Sequence, residues 1–517
     1  MLKTSLTSEK TNLHSIAVLY LMSKTLRTIS LIFAASVQIL HFFNNSNGQN
    51  IEVNIKISTD SPVSAEITGK YISQKPRTNA RNISFLDQYA GAGGLADRIS
   101  NLELADRDGH QVAKQRFNAG EYVADADFGA WKYNVNLPPP EPPLTTAHVS
   151  WLTADTGLLM LDDLLPQSGG AKIAAKIKIY VPAGWKILTA ERSVGTNEFD
   201  VTDVEKASFV IGRNWREKEI SRNGFHLHLL ISGDWRFSDE DALKIAGEIF
   251  DNYLKIFGSA PNLNSQIAIM KFPGSVASGN WEADTRGTSI TINSSDMPFR
   301  SQSVQRLHEQ LRHEIFHLWL PEGVNFSGHY DWFYEGFALY QSLKIGVAAN
   351  RIRFDDYLDT LSRAYNIDSI RTPRLSLREA SKNRWSGAIS PVYPRGLLVA
   401  FLCDLALLEK SKGKTSTENL VREIYQKYHL ATTRTDGNTA VIDAMRLHPE
   451  LRPIAERYIN GPDKIDWSEA LAPAGIEAVT ENSVTTLKIV AKPSGRQKDL
   501  LDKLGYNNWR KLTVNNR

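Results

Sequence analysis

The chain has 517 residues, 42% of them hydrophobic, so it can bury large cores, and two or three domains are expected. Lysine and arginine exceed aspartate and glutamate by only three, and no basic block interleaves with aromatic residues, which removes nucleic acid as a partner class. The single cysteine, Cys403, lies in the apolar stretch 401–408; it excludes an internal disulfide and reads as a small buried hydrophobe.

Residues 28–43 are largely apolar, follow Lys24 and Arg27 and precede a polar run, the pattern of a secretory signal, with Met22 as an alternative start. Gln38 and His41 interrupt the run, so a spanning anchor is the second reading. From 50 to 235 the hydrophobic period is two: Ile51 to Ile57, Trp131 to Leu137, Ile177 to Val181 and Phe225 to Ile231 all alternate, which predicts a β-rich domain. Gly91 to Gly94 predicts a flexible turn and Pro138 to Pro143 an extended connection. His226 and His228 share one strand face, which reads as a solvated face rather than a metal site.

Near Trp235 the period changes. Ser238 and Asp241 form a capping-box-like start for a helix to Phe257, ended by Gly258. Strands follow at 266–272 and 287–292. Next comes His-Glu-Ile-Phe-His at 313–317 on a helical stretch. Two histidines four apart lie about 40° apart around a helix and about 6 Å apart along it, so His313 and His317 can reach one metal ion. Glu314 flanks that ion, where it can take a proton from water, the division of labour this motif encodes in metallopeptidases.

Pro321 and Gly323 stop the helix. A second helix is predicted from Asp331 as N-cap through Tyr340, with Phe333, Phe337 and Tyr340 on its apolar side, and it brings back Glu335 as a third ligand. His329 and Asp331, near the loop end, are not excluded by spacing. A third histidine six residues beyond His317 would mark another class, but that position is Gly323. Beyond Leu397 the chain reads as mostly helical, through 418–429 and 439–459, and the tail from Lys492 to Arg517 reads as partly disordered.

His-Glu-x-x-His followed by Trp-Phe-Tyr-Glu-Gly-Phe at 332–337 is similar to the gluzincin zinc metallopeptidases and, within them, resembles the glycyl aminopeptidase family. The resemblance implies a zinc site of His313, His317 and Glu335, with Glu314 as general base. The loop to Glu335 is one residue shorter than in the broader aminopeptidases of the clan. Leu339, where the thermolysin subgroup has an acid, argues against that subgroup.

Two further stretches match more loosely. Gly279-Asn-Trp-Glu-Ala283 resembles the family's substrate-backbone segment, implying that Gly279 and Glu282 bind substrate and that Glu282 pairs with a free amino terminus; Ala283 departs from the usual Asn or His. Tyr393-Pro-Arg-Gly396 resembles the family's Tyr-x-Lys-Gly helix start, implying that Tyr393 stabilises the oxyanion, with Arg395 in place of Lys.

The expectation is therefore an α+β multidomain chain. A signal or anchor covers 1–49, a β-rich domain 50–235, a thermolysin-like zinc peptidase domain 236–410, a helical C-terminal region 411–475 and a tail 476–517. The family's usual C-terminal PDZ domain finds no room in the roughly forty residues after Ile476. The implied function is a secreted or periplasmic aminopeptidase with one Zn2+, acting on peptide or protein substrates and releasing small N-terminal residues. An endopeptidase of the same clan and an inert peptide-binding relative are the alternatives.

Overall fold

The computed structural model describes residues 49–72, 81–141, 143, 145–167, 169, 172–222, 224–385 and 391–507. The apolar segment 28–43 lies outside them. Among the described residues no helix is long and apolar enough to cross a membrane.

The N-terminal part is β-rich, as the alternation implies. Gln49–Ser58 pairs antiparallel with Ser64–Tyr71, which pairs with Ala130–Asn136, at the centre of an eight-stranded sheet that also contains Ile173–Tyr180. The alternating residues Ile51, Val53, Ile55 and Ile57 and Trp131, Tyr133 and Val135 turn to one core. A four-stranded sheet closes that core with Phe209 and Ile211, while Val210, Leu158 and Met160 on its other face meet Leu230, Ala268 and Met270 of the next part of the chain. That shared apolar layer fixes the β-rich part against the central sheet.

The central sheet has five strands in the order Arg216–Arg222, Phe225–Ile231, Asn264–Lys271, Ser289–Ser294 and Trp281–Arg286. Phe225–Ile231, expected in the N-terminal domain, belongs here: it runs parallel to Asn264–Lys271, whose register pairs Leu229 with Ile267. Period-two alternation identifies a strand but not its sheet, because pairing is a long-range property. Trp281–Arg286 is the outer strand, antiparallel to Ser289–Ser294.

Asp239–Phe257, capped by the reciprocal Ser238 and Asp241 bonds, packs on this sheet beside Arg300–His317, the helix that carries the motif. Asp331–Ala348 and Val392–Ser411 follow, then Thr417–Tyr428 and Gly437–Arg446. The helix expected over 439–459 is interrupted: Gly437–Arg446 ends before Pro449, which cannot continue an α-helical ladder, and a short 3-10 turn leads into a second helical stretch over 452–460 with Pro453 in its first turn. Ile476–Glu481 and Val484–Ile489 form a hairpin; within the tail expected to be partly disordered from Lys492, Gly495–Lys503 is a helix that buries Leu500 and Leu501, and 508–517 lie outside the described residues. Both elements and the C-terminal helices join the apolar core of the central part. Cys403 is buried there, as expected of a small hydrophobe.

Candidate metal centre

His313 and His317 stand one turn apart on Arg300–His317, whose apolar residues Leu307, Leu311 and Ile315 are buried against the sheet. That packing turns the two imidazoles toward Asp331–Ala348, and Glu335 comes from the second turn of that second helix. His313 Nε2 lies 3.2 Å from Glu335 Oε2 and 3.2 Å from His317 Nε2, and His317 Nε2 lies 3.8 Å from Glu335 Oε2. Four-coordinate zinc with bonds of about 2.0–2.2 Å separates its ligand atoms by about 3.3–3.6 Å, so the three donors fit one tetrahedral ion. The Leu320 carbonyl lies 3.0 Å from His317 Nδ1 and accepts a hydrogen bond from its N–H, which leaves the Nε2 lone pair for a metal.

His329 is exposed and outside this group. Asp331 is not its N-cap either: Tyr330 takes that place, and the Asp331 carboxylate accepts from the Tyr334 hydroxyl at 2.7 Å and from Arg384 at 3.1 Å. His226 is turned to Glu219 at 2.6 Å.

Burial pushes the Glu314 carboxyl up to about 7, against the opposing pull of His313 and the Thr285 hydroxyl. Thr285 donates to Glu314 Oε2 at 2.8 Å. Burial would also raise Glu335, but the charge of Arg384 holds it well below the usual carboxylate range. Glu335 is therefore an anion ready to ligate.

The outer strand Trp281–Arg286 passes beside these groups and sorts its side chains by alternation. Ala283 and Thr285 turn to the core and the motif helix, whereas Glu282, Asp284 and Arg286 turn to the β-rich part. Glu282 takes backbone N–H bonds from Thr146 and Ala147, and burial raises its pKa against His148 and those bonds. Its Oε2 is buried without a hydrogen-bond partner among the described residues. Asp284 lies 2.8 Å from Arg286 and 3.3 Å from His148.

Together these residues line a cavity of about 310 Å3 that also includes Tyr89, His148, Tyr334, Arg384, Trp385 and Tyr393. Gly279 is not among them; it makes the turn into the outer strand at φ +87°, near Met297 and Arg306, so the substrate contact expected of it is not brought to the cavity. Arg395 is also elsewhere, buried against Asp368 at 3.1 Å and donating to the Tyr458 and Asp463 carbonyls.

Sequence reading passed over Tyr89, His148, Thr285, Tyr334 and Arg384. Thr285 lies two residues past the segment 279–283, between predicted elements, and no motif marks it. Arg384 and His148 carry no local pattern and reach the cavity only through the fold.

No protein-family model matches the sequence, and no curated protein matches it either. Solved structures do match by shape. An aminopeptidase N family protein of Idiomarina loihiensis aligns over 86% of this chain and 82% of its own, with a TM-score of 0.69 and 15% identity. An M1 zinc metallopeptidase of Deinococcus radiodurans aligns over 83% of this chain and 96% of its own, with a TM-score of 0.53 and 13% identity. A variant of that enzyme bound to a Tyr-Ser-Ala substrate aligns over 82% and 96%, with a TM-score of 0.54 and 14% identity. The chain thus has the fold of the M1 zinc metallopeptidases, with its His-Glu-x-x-His helix and Glu335 brought together at one cavity.

Proposed function

We propose that this chain is a zinc-dependent aminopeptidase that releases small N-terminal residues from peptides. The hydrolase part rests on His313, His317 and Glu335 at tetrahedral spacing with Glu314 adjoining them. Zinc held there supplies a Lewis acid that polarises the scissile carbonyl and activates water. Glu314 takes the proton of the attacking water and hands it to the leaving amine; Thr285 holds the carboxylate in place for both transfers. The Tyr393 hydroxyl donates to the carbonyl oxygen as it gains charge. The substrate strand adds to the outer edge of Trp281–Arg286 by backbone hydrogen bonds.

The exopeptidase part is carried by one observation, the buried Oε2 of Glu282 in the same cavity, without a hydrogen-bond partner among the described residues. An uncompensated carboxylate oxygen there calls for a cation, and a peptide's terminal ammonium supplies it. His148 and Trp385, with ring centroids 5.7 Å apart, narrow the cavity and favour small first side chains. Release of the first residue from glycyl- and alanyl-peptides, compared with N-acetylated versions, tests this reading. Hydrolysis of free peptides alone supports it; cleavage of the blocked peptides at equal rates would favour an endopeptidase, and zinc binding without any cleavage a binding protein.

A further inference from the structure

Arg384 follows the short helix Leu377–Lys382 and points its guanidinium between two groups with separate duties. Its Nη2 lies 2.8 Å from Glu335 Oε1 and donates to the Tyr393 hydroxyl at 2.7 Å. Its Nη1 donates to Asp331 Oδ1 at 3.1 Å and to the Tyr334 hydroxyl at 3.2 Å. Trp385 stacks beneath it, with the guanidinium carbon 4.4 Å from the ring centroid, and the Tyr393 and Tyr334 rings stand at 5.4 and 5.9 Å. The planar fork is therefore held from several sides and has little freedom to turn.

We infer that Arg384 is a positioning residue that sets the metal-binding carboxylate and the oxyanion-binding hydroxyl together through one guanidinium nitrogen. The inference rests on the proposed peptidase reading for its catalytic half. Glu335 Oε2 is the atom that converges with both histidines, and Oε1 is the atom Arg384 holds. With Oε1 engaged by a charged donor, Glu335 offers a metal one oxygen only, which keeps a fourth vertex for substrate and water. The Tyr393 hydroxyl accepts from Arg384, so its own single proton is turned away from the guanidinium and is available to a substrate oxygen. A lysine would keep the charge but not the geometry, because only the flat fork meets both acceptors while its other nitrogen is tied to Asp331.

Arg384→Met and Arg384→Lys, made in the full chain, test this. For Arg384→Met, zinc affinity measured by competition with a chromophoric chelator should fall about 10–100-fold, the usual effect of losing a group that orients a metal ligand. Its kcat should fall with KM for a glycyl-peptide held within about threefold. Arg384→Lys should recover part of the zinc affinity and little of kcat. In a Tyr393→Phe background, Arg384→Met should cost less in kcat than it does in the wild-type chain, since the hydroxyl it orients is gone and only its hold on Glu335 is left to lose. Unchanged zinc affinity in both Arg384 variants, or kcat losses that multiply in full with Tyr393→Phe, would overturn the inference. If the wild-type chain cleaves no peptide, the proposed function fails, while the chelator competition still decides whether Arg384 sets Glu335.

Discussion

Gly336, the residue after Glu335, and Gly396, three residues after Tyr393, meet backbone to backbone: a β-carbon on Gly336 would stand 2.4 Å from the Gly396 carbonyl carbon and 2.6 Å from its Cα. Asp331–Ala348 and Val392–Ser411 cross at this contact. The glycines that follow the Glu and the Tyr in the two motifs thus serve each other, and their contact brings Glu335 and Tyr393 to one cavity. Replacing either with Ala should cost about 1–3 kcal/mol by overpacking and weaken zinc binding. Gly495→Ala, where nothing lies within 4 Å, is the control. Thermal melts and bound-zinc analysis of the three variants check this; an unshifted Gly396→Ala melt would contradict it.

Glu314→Gln keeps the shape of the side chain and removes its basicity. Bound zinc should remain at the wild-type level, because Glu314 is not one of the three converging donors. Turnover should fall by about 10²–10⁴-fold. Single-turnover assays with zinc-loaded protein measure both, and retained turnover would remove Glu314 from the scheme.

Asp284 contributes a pH-dependent part of the stability. Burial alone would raise its pKa, but Arg286 and His148 outweigh burial and lower it from 3.8 to about 2. The folded chain therefore releases this proton at lower pH than the unfolded chain. The resulting stabilisation, about 2 kcal/mol, is fully present above the unfolded value and is lost as pH falls from about 4 toward 2. Asp284→Asn should lower the urea midpoint at pH 7, and its deficit relative to wild type should shrink as the pH drops below 4. A deficit that stays constant across that range would show that the carboxylate's charge is not what stabilises.

Chelation should destabilise the chain through linkage, since a metal that binds only the folded state adds about 2.7 kcal/mol at a hundredfold excess over its dissociation constant. The melting temperature should fall on adding chelator and recover with zinc. His317→Ala should melt near the chelated wild type and gain nothing from added zinc. A zinc response in that variant comparable to wild type would place the ion elsewhere.

Local pattern carried much of this protein. His313 and His317 could be paired from their spacing because a helix repeats every 3.6 residues, and Ile51 to Ile57 could be read as a strand because side chains alternate. The capping box at Ser238 located its helix start closely. The errors have physical causes of their own. Asp331 has the right residue type for an N-cap, yet Arg384 and Tyr334 claim its carboxylate. Arg395, which stands where the resembled Tyr-x-Lys-Gly helix start has Lys, is a buried tie to Asp368. The tail is polar in composition, yet a few leucines suffice to dock its helix.

Sequence alone determined the chemistry on offer: two imidazoles and a base in one helical turn, and a carboxylate on the helix after it. Only the tertiary structure decided that Glu335 Oε2 lies within 3.8 Å of both imidazoles, that the β-rich part supplies Tyr89 and His148 to the same cavity, and that Arg384 joins Glu335 to Tyr393. The reason is range. Helical and strand periods are set by backbone geometry over a few residues, whereas these convergences depend on which apolar faces bury against each other across the whole chain.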